Sequence, residues 1–330
     1  MPTDALTPLH FTPIFKPALW GGTRLRTLFG SPPTDERIGE AWVLSDHGQS
    51  PSVVTNGPRA GTTLRQLMDQ NRRGLLGREA DSHATFPLLL KFIHAECALS
   101  VQVHPTDAKA RELEGPNAIG KTEAWVVLEA DEEAQLYTGL NPGVTLDRLR
   151  QGILTGKVEE LLYAHEALPG DCIFLHAGTV HAIGGGVLLF EVQQTSDLTY
   201  RLYDWGRVDP KTGRGRELHV EKALASVDFG AGPCRPESVT DEGHGRVRRA
   251  PLVECEYFTL GRWESSRPFR AGAAGQCRVL VGTDGHAIIR HNGSEYPIGF
   301  GDVWLLPAEV GSCQCIPHGP VTILECGLAE

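Results

Sequence analysis

Apolar positions along the chain fall mostly in short runs or strict alternation. In Leu99-Ser-Val-Gln-Val-His-Pro the period of two sends Leu99, Val101 and Val103 to one face and Ser100, Gln102 and His104 to the other. Mostly apolar stretches predict strands at Ala124–Leu128, Cys172–Leu175, Val187–Val192, Arg278–Val281 and Val303–Leu306, bounded by Gly, Pro, Asn and Asp. Helical spacing is rarer. Thr145 can cap a helix whose apolar positions are Leu146, Leu149 and Ile153, and the pattern resumes from Lys157 to Tyr163. Shorter helices are predicted from Asp107 to Leu113 and from Leu218 to Ala225. The pattern therefore predicts a mainly β protein with a small helical insertion.

An internal repeat sharpens this reading. Gly170-Asp-Cys-Ile-Phe-Leu-His-Ala-Gly and Gly301-Asp-Val-Trp-Leu-Leu-Pro-Ala-Glu align without a gap, each a Gly-Asp turn followed by a buried strand and a break. The spacing is similar to the second motif of the cupin barrels, Gly-x5-Pro-x-Gly-x2-His. The first copy supplies Gly170, Gly178 and His181, with His176 at the Pro position. The second keeps Gly301 and Pro307 but has Glu309 for the Gly and Ser312 for the metal-binding His. The resemblance implies two cupin-like double-stranded β-barrels, or jelly rolls, of which only the first holds a metal. Residues 1–240 would form the metal-binding catalytic domain, with the helical insertion around 105–165. Residues 241–330 would form a degenerate barrel without a metal site, and Pro233 to Val247 reads as the linker.

Composition agrees. With 38 Gly and 22 Pro in 330 residues, the chain is too rich in turn formers for a helical bundle. The net charge of −10 repels phosphate backbones, which excludes nucleic acid and anionic membrane as partners. The N-terminus lacks the basic and apolar regions of a signal peptide, and no apolar run reaches the roughly 20 residues that span a bilayer. The eight cysteines lack paired CxxC spacing and read as reduced thiols of a cytoplasmic protein. The sequence leaves a monomer or a homodimer open.

The polar face of the Leu99–His104 strand carries the candidate chemistry. Gln102 and His104 at i, i+2 can share one ion, and Glu123 and His181 complete a set of two nitrogens and two oxygens. That set suits zinc first, with manganese, cobalt or iron as further choices. His47, His83, His165, His286 and His318 have no such context.

The chain resembles the type I mannose-6-phosphate isomerases in their compact bacterial form. The resemblance rests on Trp20-Gly-Gly, Gly39-Glu-Ala-Trp, Leu99-Ser-Val-Gln-Val-His-Pro, Gly120-Lys-Thr-Glu-Ala-Trp, Ala177-Gly-Thr-Val-His-Ala, the Phe190–Asp204 stretch and Arg216-Glu-Leu-His. It implies one zinc ion per chain, held by Gln102, His104, Glu123 and His181. It also implies Arg201 as a catalytic residue and Ser100 and Lys121 as holders of a sugar phosphate. The implied reaction interconverts mannose 6-phosphate and fructose 6-phosphate through a cis-enediol. Arg201 would stabilise the developing negative charge, and Lys121 or Glu191 could carry the proton, the base itself staying unassigned. Alternatively Glu191 could support a ligand histidine. Arg207, Lys211, Arg214 and Arg216 form a basic cluster that reads first as a solvated loop and second as a further holder of the phosphate. His176 and His94 depart from the family pattern. The competing classes are a non-catalytic sugar-binding or sensing cupin and an iron-dependent cupin oxygenase.

Overall fold

Short apolar runs fold as strands where the pattern puts them. In the computed structural model, which describes residues 5–32, 34–237 and 247–329, Cys172–Leu175 and Val303–Leu306 have the expected bounds. The other three lengthen to Glu123–Ala130, Val187–Gln194 and Arg278–Asp284. The fold is mainly β, built of several antiparallel sheets.

Helices form at Asp107–Glu114, Leu146–Thr155 and Val220–Ser226. Thr106 and Thr145 cap the first two by accepting from the backbone N–H three residues on. The helical spacing after Lys157 does not continue as a helix. It gives a single turn at Glu159–Leu161 and then the strand Leu162–Glu166, which takes its hydrogen bonds from Gln135–Leu140. Two further helices, Arg24–Leu28 and Leu64–Leu76, were not in the expected set. The longer one opens with a reciprocal Thr63–Gln66 capping box and kinks at Asn71.

The chain divides into two compact units: the described residues of Met1–Ile14, Trp42–Leu90 and Ser238–Glu330, and those of Phe15–Ala41 and Lys91–Glu237. A boundary at 240, and most of the expected 233–247 linker, lie outside the described residues. A single cut there does not reproduce the two units. Leu9–His10 pairs with Val303–Leu306, and the Leu75 and Gly74 carbonyls accept from the amides of Ala308 and Glu309. These contacts tie early segments of the chain to its C-terminal part.

The unit of Phe15–Ala41 and Lys91–Glu237 holds most of a sheet that runs Ile14–Gly22, Ile38–Leu44, Leu88–Ala95, Val187–Gln194, Glu123–Ala130, Cys172–Leu175. Its second sheet runs Tyr200–Tyr203, Val101–Val103, His181–Ile183, Gln135–Leu140, Leu162–Glu166. Val101 and Val103 are fully buried in a core with Val180, Ala182 and Leu202, so the alternation leaves Ser100 and Gln102 facing a cavity. Along one face of the larger sheet the side chains turn from apolar to charged. Val127 opposes Leu189 in the core, whereas Glu123 opposes Gln193 and Trp125 opposes Glu191.

The other unit contains a sheet ordered Leu9–His10, Val303–Leu306, Arg278–Asp284, Val321–Leu328, Phe258–Ser265, Val247–Glu254, and a second ordered Phe269–Ala271, Cys313–Pro317, Ala287–His291, Ser294–Ile298. Five strands of its larger sheet follow the same neighbour order as Cys172–Leu175, Glu123–Ala130, Val187–Gln194, Leu88–Ala95 and Ile38–Leu44. All eight cysteines are free thiols, and Cys313 and Cys315 are buried in this unit's apolar core.

Candidate active site

Strand register brings the candidate residues together. Gln102 pairs with His181 on one side and with Arg201 on the other, so three strands present adjacent polar side chains. His104 follows its strand directly and Glu123 opens the next. All three of His104, Glu123 and His181 are buried, and their ligand atoms lie within 4.8 Å of one another.

The hydrogen bonds fix what those atoms offer. His104 Nδ1 lies 2.9 Å from the Leu198 carbonyl oxygen, and His181 Nδ1 lies 2.9 Å from that of Thr179. A carbonyl only accepts, so Nδ1 carries the hydrogen and Nε2 keeps its lone pair. Burial lowers the pKa of both rings, with the charge of Lys121 adding to it: His181 falls to about 4, and His104 goes well below its usual value. Each neutral Nε2 lies 3.5 Å from a carboxylate oxygen of Glu123. Lys121 Nζ approaches Glu123 Oε2 to 2.8 Å and His104 Nε2 to 3.1 Å. The carboxylate contact is not aligned as a hydrogen bond, so both Glu123 oxygens remain without a donor. Buried acceptors that converge with too few donors form a site for a cation, and the two tethered Nδ1 groups are the outer support that orients ligand histidines. The residues present therefore fit a divalent metal. Gln102 Nε2 stands 3.2 Å from His181 Nε2, and a half-turn of its amide presents Oε1 instead.

The cluster borders a cavity of about 290 Å³ lined by Ser100, Gln102, Lys121, Glu191 and Arg201. Arg201 Nε donates to Ser100 Oγ at 3.2 Å and its Nη1 to the Glu217 carbonyl at 2.8 Å. Glu191 Oε2 accepts from Trp125 Nε1 at 2.9 Å, and its Oε1 lies 3.8 Å from Lys121. Glu191 reaches His181 through the Trp125 ring, which stands edge-on to that imidazole with centroids 5.5 Å apart.

The cavity also contains residues that the sequence reading missed. Lys91 is fully buried, 3.3 Å from Glu40 and 3.2 Å from Glu191. Desolvation pulls its pKa down, but the surrounding carboxylates outweigh that and hold it above the usual lysine value. A lysine in the apolar run Leu88–Ile93 was the available signal. Trp20, Asp197, Thr199 and Arg216 line the same space. The basic loop divides accordingly. Lys211 and Arg214 are exposed, whereas Arg216 faces the cavity with a two-point contact to Asp204, and Arg207 donates to the Ala98 carbonyl. His176 is exposed against the Phe174 ring, and half-buried His94 is not among the cavity residues.

Fold and site together define a metal-dependent enzyme whose centre lies in a β-lined cavity. Residues 9–125 match the family described as phosphomannose isomerase type I, catalytic domain. The mannose-6-phosphate isomerase of Bacillus subtilis is 37% identical over 92% of this chain and 94% of its own length. That of Streptococcus mutans is 36% identical over 90% and 91%. A crystal structure of the mannose 6-phosphate isomerase from Bacillus subtilis superposes with a TM-score of 0.88 at 31% identity, covering 97% of this chain and 99% of the other. The chain belongs to the type I phosphomannose isomerase family.

Proposed function

We propose that the protein interconverts mannose 6-phosphate and fructose 6-phosphate, with Gln102, His104, Glu123 and His181 holding one zinc ion. The observation that carries this reading is the convergence of two anchored, neutral imidazole Nε2 atoms on the donor-poor Glu123 carboxylate. Two nitrogens and two oxygens suit zinc, with manganese, cobalt or iron able to replace it. A bound divalent ion would supply positive charge for the sugar oxygens as the cis-enediol forms.

The chain's own residues do the rest. Arg201 is held at the cavity by Ser100 and the Glu217 carbonyl, so its fixed charge is preorganised for the sugar oxygens or the phosphate. Ser100 and Lys121 border the same space and hold the sugar phosphate. The reaction takes the hydrogen on C2 as a proton and returns one to C1, while the hydroxyl proton passes between O1 and O2. Lys121 and Glu191, 3.8 Å apart at the cavity wall, are the pair positioned to carry it.

We further read the repeated strand order as two cupin-like barrels, the second without a metal set. There Ser312 accepts hydrogen bonds from Arg270, and the Glu309 carboxylate accepts from the Leu6 amide. No described helix is long and apolar enough to cross a membrane, and we assign the enzyme to the cytoplasm.

Zinc-loaded protein is expected to turn over mannose 6-phosphate in an assay coupled to fructose 6-phosphate consumption, and to lose that activity on chelation. Binding of the sugar phosphate without turnover would favour a sensing role instead.

Acid acts on the same cluster. His181 titrates near 4 in the fold against 6.5 for a free imidazole. As the pH falls the unfolded chain takes up the proton first, so its stabilising contribution is complete above 6.5 and is lost toward 4. The melting temperature of metal-free protein is therefore expected to drop between about pH 7 and about pH 5. A flat profile would show that the imidazole is not held neutral.

A further inference from the structure

The unit containing Val247–Glu254 repeats one arrangement of side chains from the candidate active site. Glu191 and Glu325 lie on corresponding strands of the two five-strand series. Each accepts from an indole Nε1 at 2.9 Å, Glu191 from Trp125 and Glu325 from Trp263. Each has a cation beside its other oxygen, Lys91 at 3.2 Å and Arg278 Nε at 3.6 Å.

Next to Glu325 opens a cavity of about 610 Å³, larger than the one at the metal cluster. Its lining includes Arg249, Arg278, Thr259, Pro251 and Leu260. A glycine at 327 makes room for one guanidinium, since a Cβ there would stand 2.8 Å from Arg278 Nη1. Arg249 lies 5.5 Å over the Trp263 ring and meets no carboxylate among the described residues.

We propose that this cavity is a second, non-catalytic site for a phosphate monoester of a small sugar or polyol. Arg249 and Arg278 supply charge-assisted donors for the phosphate, Arg249 without an acidic partner to give up. Glu325 and Thr259 offer acceptors for hydroxyl groups, and Pro251 and Leu260 an apolar wall for the C–H face. The exposed carboxylates of Glu254 and Glu256 also border the cavity, so a bare anion is disfavoured and a ligand with hydroxyl donors is preferred. The site needs neither the metal nor Arg201, and the proposal stands apart from the isomerase reading.

Calorimetric titration of the metal-loaded protein with glucitol 6-phosphate, which lacks a carbonyl and is not turned over, tests it. The intact protein is expected to bind two equivalents per chain. Arg249→Ala is expected to bind one up to about 1 mM ligand, with unchanged isomerase kinetics. Pro251→Trp, which fills the cavity, is expected to do the same. His181→Ala should retain the equivalent that depends on Arg249 whether or not the catalytic reading holds. Inorganic phosphate and glucitol, titrated separately, are expected to bind this site at least tenfold more weakly than the ester, about 1.4 kcal/mol. A stoichiometry that neither Arg249→Ala nor Pro251→Trp lowers, or phosphate alone binding as tightly as the ester, would overturn the proposal.

Discussion

Replacing His181 by Ala is expected to strip the metal and abolish turnover of mannose 6-phosphate. Burial keeps the ring neutral and the Thr179 carbonyl fixes the hydrogen on Nδ1, which leaves the Nε2 lone pair to offer. Removing it leaves His104, Glu123 and Gln102, with the Glu123 carboxylate still short of donors. Loss of an outer support for a ligand typically costs about 10–100-fold in metal affinity, and loss of the ligand itself should cost more. Metal per chain by elemental mass spectrometry, measured beside kcat, checks this. A metal-loaded and fully active His181→Ala protein would sink the assignment of the site.

Arg201→Ala should separate charge stabilisation from metal binding. Its guanidinium is oriented by hydrogen bonds to Ser100 and the Glu217 carbonyl, neither of which is a metal candidate. The metal should therefore stay at one equivalent while kcat/KM falls by about 10²–10³, or about 2.7–4 kcal/mol, the loss of one preorganised donor. A fall in kcat at nearly constant KM would place the contact in the transition state, and a rise in KM alone would place it in ground-state binding of the phosphate. Unchanged kinetics would make Arg201 structural.

How much of this was legible in the sequence depended on distance along the chain. Ser100, Gln102 and His104 were readable because two-residue alternation is local, and the buried Val101 and Val103 fix which face they take. His181 was readable because the spacing from Gly170 to His181 resembles a cupin motif, and that motif is also local. Lys91 was hidden for the opposite reason. Its partners Glu40 and Glu191 come from separate strands, and only their pairing turns an isolated lysine in an apolar run into part of the cavity. The basic loop was misread in part because Asp204 folds Arg216 back toward Arg201, which loop composition does not show. Leu64–Leu76 carried a readable capping box, but Asn71 and Gly74 break the apolar spacing that would have announced a helix. From Lys157 onward the helical period lost to the sheet, because Gln135–Leu140 offers an open edge to Leu162–Glu166.

The interleaving of the two units has a consequence for synthesis. Leu9–His10 finds its partner strand nearly three hundred residues later, at Val303–Leu306. A chain emerging from the ribosome can complete the unit with the candidate metal site, which ends at Glu237, while the earlier segments that belong to the other unit still await theirs. The unit with the candidate metal site thus enters the chain as two pieces, set between the pieces of a unit that closes last. A messenger cut short near its end would leave those early segments without partners, exposing apolar surface to aggregation or proteolysis.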